Sequence, residues 1–258
     1  MSEAISIEGL SKSFDASQGS ARRLAVISDL SLDVGAGEFI TVFGPNGCGK
    51  TTLLNILSGL VDPDRGRVSI AARDGDRAVM GYVFQNFAAS LFPWLRVIDN
   101  IAFPLELRGV SRSQRQEKVL DLLRRFRVDF DPSVYPYQLS GGQQQLVAIM
   151  RAVIDSPDVL FLDEPFNALD FQTRTDMEDR VLEIWETLKP AVLFVSHDID
   201  EAIYLADRVV FLSRMPARVA EVLPVPLPRP RSQRMLVSSE FYALRTHAIA
   251  AFARIVAA

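Results

Sequence analysis

Short runs of consecutive apolar residues, each ending at glycine or polar residues, are the clearest pattern along this chain. Phe39–Phe43, Val159–Leu162 and Val192–Val195 are such runs, and continuous apolar character over four or five residues is typical of strands buried on both faces of a parallel sheet. Helical spacing over Leu53–Leu57 follows the first run, so the pattern predicts an α/β unit. Because ligands gather at the carboxyl ends of strands in such sheets, we expect functional residues directly after the three runs.

The middle of the chain has a helical rather than a strand pattern. From about Val97 to Ser156, apolar residues recur three and four positions apart. One apolar face consists of Val119, Leu122, Leu123 and Phe126. Ser113 and Gln116 match a capping box, which predicts the start of this helix. These features predict a helical subdomain, at about residues 90–156, inserted between the first strands and the later ones.

The last part of the chain combines an extended segment with a helix. Proline stands at alternate positions of Leu223–Pro230, which excludes a central strand because proline cannot donate a ladder hydrogen bond. A terminal amphipathic helix within residues 236–258 is indicated by Phe241, Leu244, Ala248, Phe252 and Ile255.

Composition narrows the function without identifying it. The 258 residues suffice for one large α/β domain, or for a core with a smaller subdomain. A formal net charge of −4 lacks the bulk attraction for nucleic acid or anionic lipid, although it leaves a local basic patch open. No apolar run approaches the roughly 18–20 residues that span a bilayer, and the start lacks the pattern of a signal peptide. Work at a membrane is therefore expected to go through partners.

A glycine-rich loop follows the first apolar run and matches the phosphate-loop pattern. Its glycines let consecutive backbone N–H groups converge on phosphate oxygens, and the helix behind them starts with partial positive charge. Lys50 can reach the β- and γ-phosphates, and the Thr51 hydroxyl can ligate Mg²⁺. A chance match is disfavoured because a strand and a helix flank the loop in the correct order. The predicted nucleotide-binding residues of this loop are Gly44, Pro45, Asn46, Gly47, Cys48, Gly49, Lys50, Thr51 and Thr52.

Cys48 is the one cysteine of the chain. A single cysteine excludes an internal disulfide, and a reducing compartment is the simplest interpretation. Within the loop it occupies a variable position, where a spacer role is favoured over a reactive or metal-binding one.

Polar residues also follow the second and third apolar runs. Asp163 and Glu164 come directly after the second run; Asp163 would hold Mg²⁺, directly or through water, and Glu164 would polarise the attacking water. Ordinary acidic loop residues are the alternative, which the phosphate loop disfavours. His197 follows the third run, where it can touch the γ-phosphate or the attacking water. His247, in the terminal helix, is interpreted as a surface or packing residue.

The pentapeptide LSGGQ at Leu139–Gln143 resembles the signature motif of ABC ATPases. Its order after a phosphate loop and before Asp163, Glu164 and His197 makes the match specific, and the resemblance covers nearly the whole chain from about Ile5. It implies an α/β fold, in which a P-loop NTPase core with a parallel sheet carries an N-terminal antiparallel β region and a helical subdomain with the signature. The implied ABC ATPase domain spans residues 3–235.

Several residues acquire roles by matching the motifs of this family. Phe14 looks like the aromatic that stacks on adenine, and Gln85 looks like the loop glutamine that meets Mg²⁺ and water. Ala168–Asp170 looks like the loop that crosses the dimer interface. The signature residues that would contact the ATP of the other subunit are Ser140, Gly141, Gly142 and Gln143. Where the family often has arginine after the signature this chain has Leu146, so the ion pair of such an arginine is not expected.

Helix physics agrees with the role of the signature. A helix that begins with a hydroxyl and bare glycines is an anion site, and the ATP of a second subunit is the natural anion to fill it. A glycine-rich helix start without a ligand is the alternative.

The resemblance implies a chain that hydrolyses ATP as a dimer sandwiching two ATP molecules, with ATP and Mg²⁺ as cofactors. The implied catalytic residues are Glu164, His197 and Gln85, and the implied metal ligands are Thr51, Gln85 and Asp163. The implied partners are a second ATPase subunit, in a homodimer or heterodimer, integral membrane permease subunits and an extracytoplasmic substrate-binding protein, without nucleic acid. The implied location is peripheral, on the cytoplasmic face of the inner membrane.

A narrower resemblance points to importers. Ser90–Trp94, Glu164–Asp170 and His197–Tyr204 are similar to importer subunits of the nitrate, sulfonate and taurine type, which implies transport of a small anion that does not contact this chain. In such importers Phe87–Trp94 would form a groove for a helix of the membrane subunit, and core packing of these aromatics is the alternative.

Two other functions remain open. A soluble ABC ATPase acting on ribosomes or DNA would usually carry paired ATPase domains or a long coiled-coil insert, whereas this chain has one set of motifs. A regulatory subunit that binds ATP without hydrolysing it would be favoured by a missing carboxylate or histidine, and Glu164 and His197 are both present. The main hypothesis is that ATP binding closes a dimer and hydrolysis reopens it.

Overall fold

The computed structural model describes residues 3–15, 23–73, 77–167 and 169–257. Its strands are β1 (Glu3–Asp15), β2 (Arg23–Gly35), β3 (Phe39–Phe43), β4 (Arg65–Ile70), β5 (Met80–Val83), β6 (Val159–Asp163), β7 (Ala191–Ser196), β8 (Arg208–Leu212) and β9 (Val219–Pro224). Its helices are α1 (Lys50–Leu57), α2 (Phe87–Ser90), α3 (Val97–Leu107), α4 (Arg112–Arg125), α5 (Gly141–Val153), α6 (Phe171–Leu188), α7 (Ile199–Leu205) and α8 (Ser239–Ala257). None of the helices in these ranges combines the length and apolar character needed to cross a bilayer.

The chain forms two compact units. The first unit consists of residues 1–77 and 191–258, and the second of residues 78–190.

The first unit contains the antiparallel β region that the family resemblance implies. β1 lies between β2 and β4 and is antiparallel to both, so that Ile7 stands opposite Leu32 on one side and Val68 on the other. Ile5, Ile7 and Leu32 are buried, because the two-residue period of a strand turns one side of the sheet to the core.

A parallel sheet forms the core of the first unit. β3 lies between β7 and β8, parallel to both, and β9 pairs with β8 in the antiparallel direction. All residues of β3 and β7 are buried, as the continuous apolar runs predict. The proline-rich segment begins at the end of β9, an edge strand, where a missing N–H donor is tolerated.

Two helices of the first unit lie against this sheet. α7 packs on β3, and α8 packs on α7. The ring of Phe252 in α8 meets the ring of Phe43 edge-on, with centroids 5.1 Å apart. Phe241 and Ala248 are buried, which confirms the predicted amphipathic helix.

The second unit combines a parallel strand pair with helices. β5 pairs with β6, and α5 packs against β5 and α3. The predicted apolar face of α4 is buried, but the predicted cap is wrong. Ser111, not Ser113, precedes the helix, and its Oγ accepts a hydrogen bond from the N–H of Gln114 at 3.5 Å. The reason is the backbone: Ser111 has the extended ψ of 151° that a cap needs, whereas Ser113 already lies in the first turn.

Candidate functional site

The phosphate loop of the first unit connects the buried strand β3 to α1. Gly49 has φ of +115° and immediately precedes α1. A Cβ at Gly49 would stand 2.9 Å from Cγ1 of Val26, so both the backbone conformation and the space require glycine. No side chain caps the start of α1, which suits a helix N-terminus that binds an anion.

Lys50 is folded over this loop. Its Nζ donates hydrogen bonds to the carbonyl oxygens of Gly44 at 2.9 Å and Pro45 at 3.2 Å, and the residue is buried. The amine is therefore held against the first two carbonyl groups of the loop. Lysine chemistry and a glycine cradle together fit a nucleotide.

Cys48 lies inside the loop rather than at its surface. It is buried, and a Cβ on Gly44 would come within 3.1 Å of its sulfur. Burial raises the pKa of the thiol, although the nearby Lys50 charge lowers it. A thiol in this environment packs the loop and is a poor nucleophile.

His197 follows β7 at the same edge of the parallel sheet as the phosphate loop. Phe43 pairs with Ser196, so Gly44 and His197 continue from neighbouring strand ends. Asp198 accepts hydrogen bonds from the N–H groups of Asp200 and Glu201 and so caps α7. The exposed imidazole is thus placed by a buried strand on one side and a capped helix on the other.

Phe14 lies near the end of β1, opposite Leu24 of β2. Its side chain is 41% exposed, and Nζ of Lys12 stands 5.3 Å from the ring centroid. An exposed aromatic face of this kind can stack on a nucleobase.

The predicted carboxylates lie in the second unit at the end of β6. Asp163 is its last residue and is buried. Glu164 follows with φ of +44°. Nε2 of Gln85 donates to Oε2 of Glu164 at 3.0 Å, so the structure brings these two predicted residues together. Carboxylate and amide oxygens are ligands that suit Mg²⁺, and Asp163 and Gln85 supply both kinds.

Two neighbours of these carboxylates were not predicted from the sequence. Nδ2 of Asn167 also donates to Oε2 of Glu164, so two amides hold one carboxylate oxygen. Tyr82 lies on β5, where burial and then the charge of Asp163 raise the pKa of its hydroxyl. Asn167 stands three residues after Glu164, and this short spacing was the signal that could have revealed it.

The signature residues begin α5 in the second unit. Ser140 caps the helix: its Oγ accepts from the N–H of Gln143 at 3.3 Å, and Oε1 of Gln143 accepts from the N–H of Ser140 at 3.0 Å. Because Oγ of Ser140 acts as an acceptor in this bond, its hydroxyl proton can still be donated to an anion. Nothing lies within 4 Å of a Cβ placed on Gly141, so an anion can approach the helix start closely.

The structure describes the segment Ala168–Asp170, which follows β6, only in part. Ala168 lies outside the described residues. Asp170 caps α6, accepting from the N–H of Thr173 at 3.1 Å and from its hydroxyl at 2.7 Å, and the Thr173 hydroxyl is the main cause of the lowered pKa of this carboxyl. Leu146, in place of the common arginine, is buried in α5.

The aromatic segment Phe87–Trp94 divides between core and surface. Phe87 and Leu91 are buried, whereas Trp94 is 71% exposed. Asn100 fixes the loop between them: its Oδ1 accepts from the N–H of Phe92, and its Nδ2 donates to the Phe92 carbonyl. Core packing therefore accounts for part of the segment, and Trp94 lies at the surface.

Comparison with known proteins identifies a family and relatives that are similar to this chain in sequence. The family model described as ABC transporter matches residues 27–167. The aliphatic sulfonates import ATP-binding protein of Bacillus cereus is 40% identical over 255 residues, 97% of this chain and 96% of that protein. The taurine import ATP-binding protein of Escherichia coli O157:H7 is 41% identical over 231 residues, 87% of this chain and 90% of that protein.

Solved structures of an ABC transporter cassette are similar in fold to this chain. The dimeric structure of a bacterial ABC transporter cassette has a TM-score of 0.73 and 29% identity, covering 87% of this chain and all of the other. A post-hydrolysis state of that cassette, bound to ADP and phosphate, has a TM-score of 0.74 and 28% identity.

Proposed function

Because this chain belongs to the ABC transporter family, we propose that it is the ATP-hydrolysing subunit of an importer for a small anion such as a sulfonate or taurine. The substrate class follows from the two import proteins to which the chain is similar over most of its length. Nitrate belongs to the same class by the sequence resemblance.

Hydrolysis transfers the γ-phosphoryl group of ATP to water, so the chain has to hold phosphates, orient the water and neutralise charge. The backbone of Gly44–Gly49 and Lys50 bind the phosphates. Since Nζ of Lys50 already donates to two loop carbonyls, ATP binding exchanges these neutral acceptors for phosphate oxygens, which form stronger charge-assisted bonds. Phe14 stacks on the adenine.

Glu164 accepts a proton from the attacking water, and His197 contacts the γ-phosphate or that water. The carboxylate is oriented by the amides of Gln85 and Asn167, and a base held in one orientation transfers protons efficiently. Thr51, Gln85 and Asp163 are the residues that would hold Mg²⁺, which when bound would supply positive charge to neutralise the phosphates.

One observation supports hydrolysis over nucleotide binding alone. The Glu164 carboxylate is held by two amide donors at the end of a buried strand, in a backbone conformation that is unusual for glutamate. Strained residues with fixed partners cluster at active sites. A carboxylate held in this way suits a general base, which hydrolysis needs and nucleotide binding alone does not.

Assembly with partners completes the proposal. The start of α5, at Ser140 and Gly141, takes the γ-phosphate of ATP held by a second ATPase subunit, a copy of this chain or a related one. Trp94 and its neighbours receive a helix of a membrane permease subunit, and a substrate-binding protein outside the membrane delivers the anion. ATP binding closes the dimer, and hydrolysis reopens it.

Uptake by cells tests this proposal directly. Cells that lack the chain are complemented with the wild type or with Glu164→Gln, and the uptake of labelled taurine, an aliphatic sulfonate and nitrate is measured. We expect the wild type to restore uptake of at least one anion and Glu164→Gln to restore none, because loss of the general base slows ATP turnover by about 10²–10⁴-fold.

Two controls separate the parts of the proposal. Capture of the tagged chain from detergent-solubilised membranes should retrieve a multi-span permease, whereas ribosomal or DNA-repair partners would support the soluble ATPase alternative. Full ATP turnover by Glu164→Gln would remove its catalytic role. Unchanged uptake of all three anions in cells lacking the chain would remove the substrate class.

A further inference from the structure

The aromatic Phe14 is embedded in a cluster of charged residues within the first unit. The cluster consists of Lys12, Ser13, Arg23 and Asp64, and we call it the Asp64 clasp. Oδ2 of Asp64 accepts from the N–H of Ser13 at 2.8 Å and from Arg23 at 3.1 Å. Oδ1 of the same carboxylate accepts from Nζ of Lys12 at 3.3 Å. One carboxylate thus binds the strand end that carries Phe14 and both flanking cations.

The clasp decides what covers the Phe14 ring. Nζ of Lys12 also donates to the carbonyl oxygen of Asp62 at 2.7 Å, and its side chain is only 14% exposed. Held in this way, the ammonium stands over the ring at 5.3 Å from its centroid. A cation on one face attracts the π-electrons of the ring, which leaves the other face better suited to stack on an electron-rich purine.

The connection from α1 to β4 links the Asp64 clasp to the helix that follows the phosphate loop. Asp64 ends the connection from α1 to β4, and the N–H groups of Leu60 and Val61 in this connection bond to the Asn55 carbonyl of α1. The N–H of Asp64 donates to the Ser11 carbonyl of β1 at 2.9 Å. The loop therefore bridges the helix behind the phosphate loop and the strand that carries Phe14.

Strand β2 connects the surroundings of Phe14 to the phosphate loop. Phe14 pairs with Leu24 of β2. Two residues further along β2, Cγ1 of Val26 lies 2.9 Å from where a Cβ on Gly49 of the phosphate loop would stand. Phe14 and the phosphate loop are therefore both attached to β2.

We propose that Asp64 is a positioning residue for the purine of the nucleotide: it clamps Lys12 against one face of Phe14, so that the base stacks on the other. The proposal rests on the proposed ATP-binding function and on Phe14 as the base platform. The N–H of Ser13, followed by the opposing effect of desolvation and then by Lys12, sets the pKa of the Asp64 carboxyl, with a net lowering below its usual range. The Asp64 carboxyl is therefore ionised at neutral pH.

Binding of ADP, GDP and pyrophosphate to the full chain tests this proposal. Pyrophosphate shares the phosphates of ADP but lacks the base, so it reports the phosphate loop alone. We expect Asp64→Ala and Lys12→Met each to weaken ADP and GDP binding by about three- to tenfold, the size of a lost cation–π contact or charge-assisted hydrogen bond. Pyrophosphate binding should change by less than about twofold, as for a distant independent site.

Matched variants make the result specific. Asp62→Asn alters the same loop at a residue that contacts Lys12 through its backbone carbonyl, and it should leave all three affinities unchanged. Lys50→Ala should weaken all three, and Phe14→Ala should show the same base-selective loss as Asp64→Ala. The Lys12→Met variant carries the test if Asp64→Ala does not fold.

Other results would contradict the positioning role of Asp64, the role of Phe14 as base platform or the proposed function. Equal weakening of ADP and pyrophosphate by Asp64→Ala and Lys12→Met would overturn the positioning role, and so would unchanged ADP binding in both. If the wild type binds ADP but Phe14→Ala binds it equally well, the base platform is wrong and the proposal falls with it. Failure of the wild type to bind ADP would overturn the proposed function as well.

Discussion

At Glu164 the backbone has φ of +44°, a left-handed conformation that costs a residue with a side chain of order 1–3 kcal/mol. The surrounding structure retains it through the amides of Gln85 and Asn167, which both donate to one carboxylate oxygen. The two amides therefore hold the Glu164 carboxylate in one orientation, which the proposed role of general base requires.

One methyl group added at Gly142 should destabilise the chain, because Thr173 lies too close. A Cβ at this position would stand 2.6 Å from Cγ2 of Thr173 in α6, so Gly142→Ala should lower the free energy of unfolding by about 1–3 kcal/mol through overpacking. Thr173→Ser removes that methyl group and keeps the hydroxyl that bonds to Asp170. Urea unfolding should therefore show recovery of stability in the double variant.

Gly141 is the control for this prediction. Nothing lies within 4 Å of its Cβ position, so Gly141→Ala should not destabilise the chain, and Thr173→Ser should not change that result. Additive effects of Gly142→Ala and Thr173→Ser would show that the two side chains do not meet.

Among the elements, α8 is attached to the first unit by both apolar and charged contacts. Phe252 meets Phe43, the residue before the phosphate loop, and Arg245 forms an ion pair with Asp200 of α7 at 2.8 Å. Glu221 of β9 accepts from His247 at 2.7 Å and from Arg254 at 2.9 Å. The terminal helix thus contacts elements that directly adjoin the phosphate loop and His197.

The Glu221 contacts predict a pH-dependent attachment of α8. The hydrogen bond from His247 is the main cause of the lowered pKa of Glu221. A carboxyl whose folded-state pKa is lowered stabilises the fold above its unfolded pKa of about 4.3, and the contribution is lost as pH falls through the folded pKa. Glu221→Gln should destabilise the chain at pH 7, by less than about 1 kcal/mol because the pair is partly exposed.

Urea unfolding of Glu221→Gln and of the wild type, at pH 7 and at pH near 3, checks the sign. The difference in the free energy of unfolding should shrink at the lower pH. Substitution of the exposed Glu117 by Gln controls for loss of a surface carboxylate. A difference that grows on acidification would contradict the assignment.

For the whole molecule, an ABC ATPase whose signature residues lie at an exposed helix start calls for a second subunit. A related cassette is dimeric in its solved structure. In this chain Ser140 and Gly141 begin α5 in an open environment. We expect the dimer to form when ATP fills the phosphate loop and to persist when hydrolysis is blocked.

Light scattering on size-exclusion fractions tests dimer formation. Glu164→Gln with ATP and Mg²⁺ should double in mass, and Glu164→Gln combined with Gly141→Asp should remain a monomer, because the new carboxylate repels the γ-phosphate. Ser113→Asp adds the same charge at an exposed helical position outside the signature and should still dimerise. A dimer that survives Gly141→Asp would show that the signature lies outside the interface.

The sequence by itself determined several elements of this protein and predicted the residues that carry its chemistry. Continuous apolar runs identified β3, β6 and β7, helical spacing identified α1, α4, α5 and α8, and the motifs named the phosphate loop and the carboxylates before any fold was known. These features are local, since period, glycine spacing and side-chain type act over a few neighbouring residues.

Only the tertiary structure decided which groups share a contact. Gln85 and Glu164 are 79 residues apart, and Ser13 and Asp64 are 51 apart. No local period encodes such pairs, because packing of whole strands and helices sets their distance. Ser111 replaced Ser113 as a cap for a related reason: both are serines with a glutamine three residues on, and the backbone conformation that follows α3 selected between them.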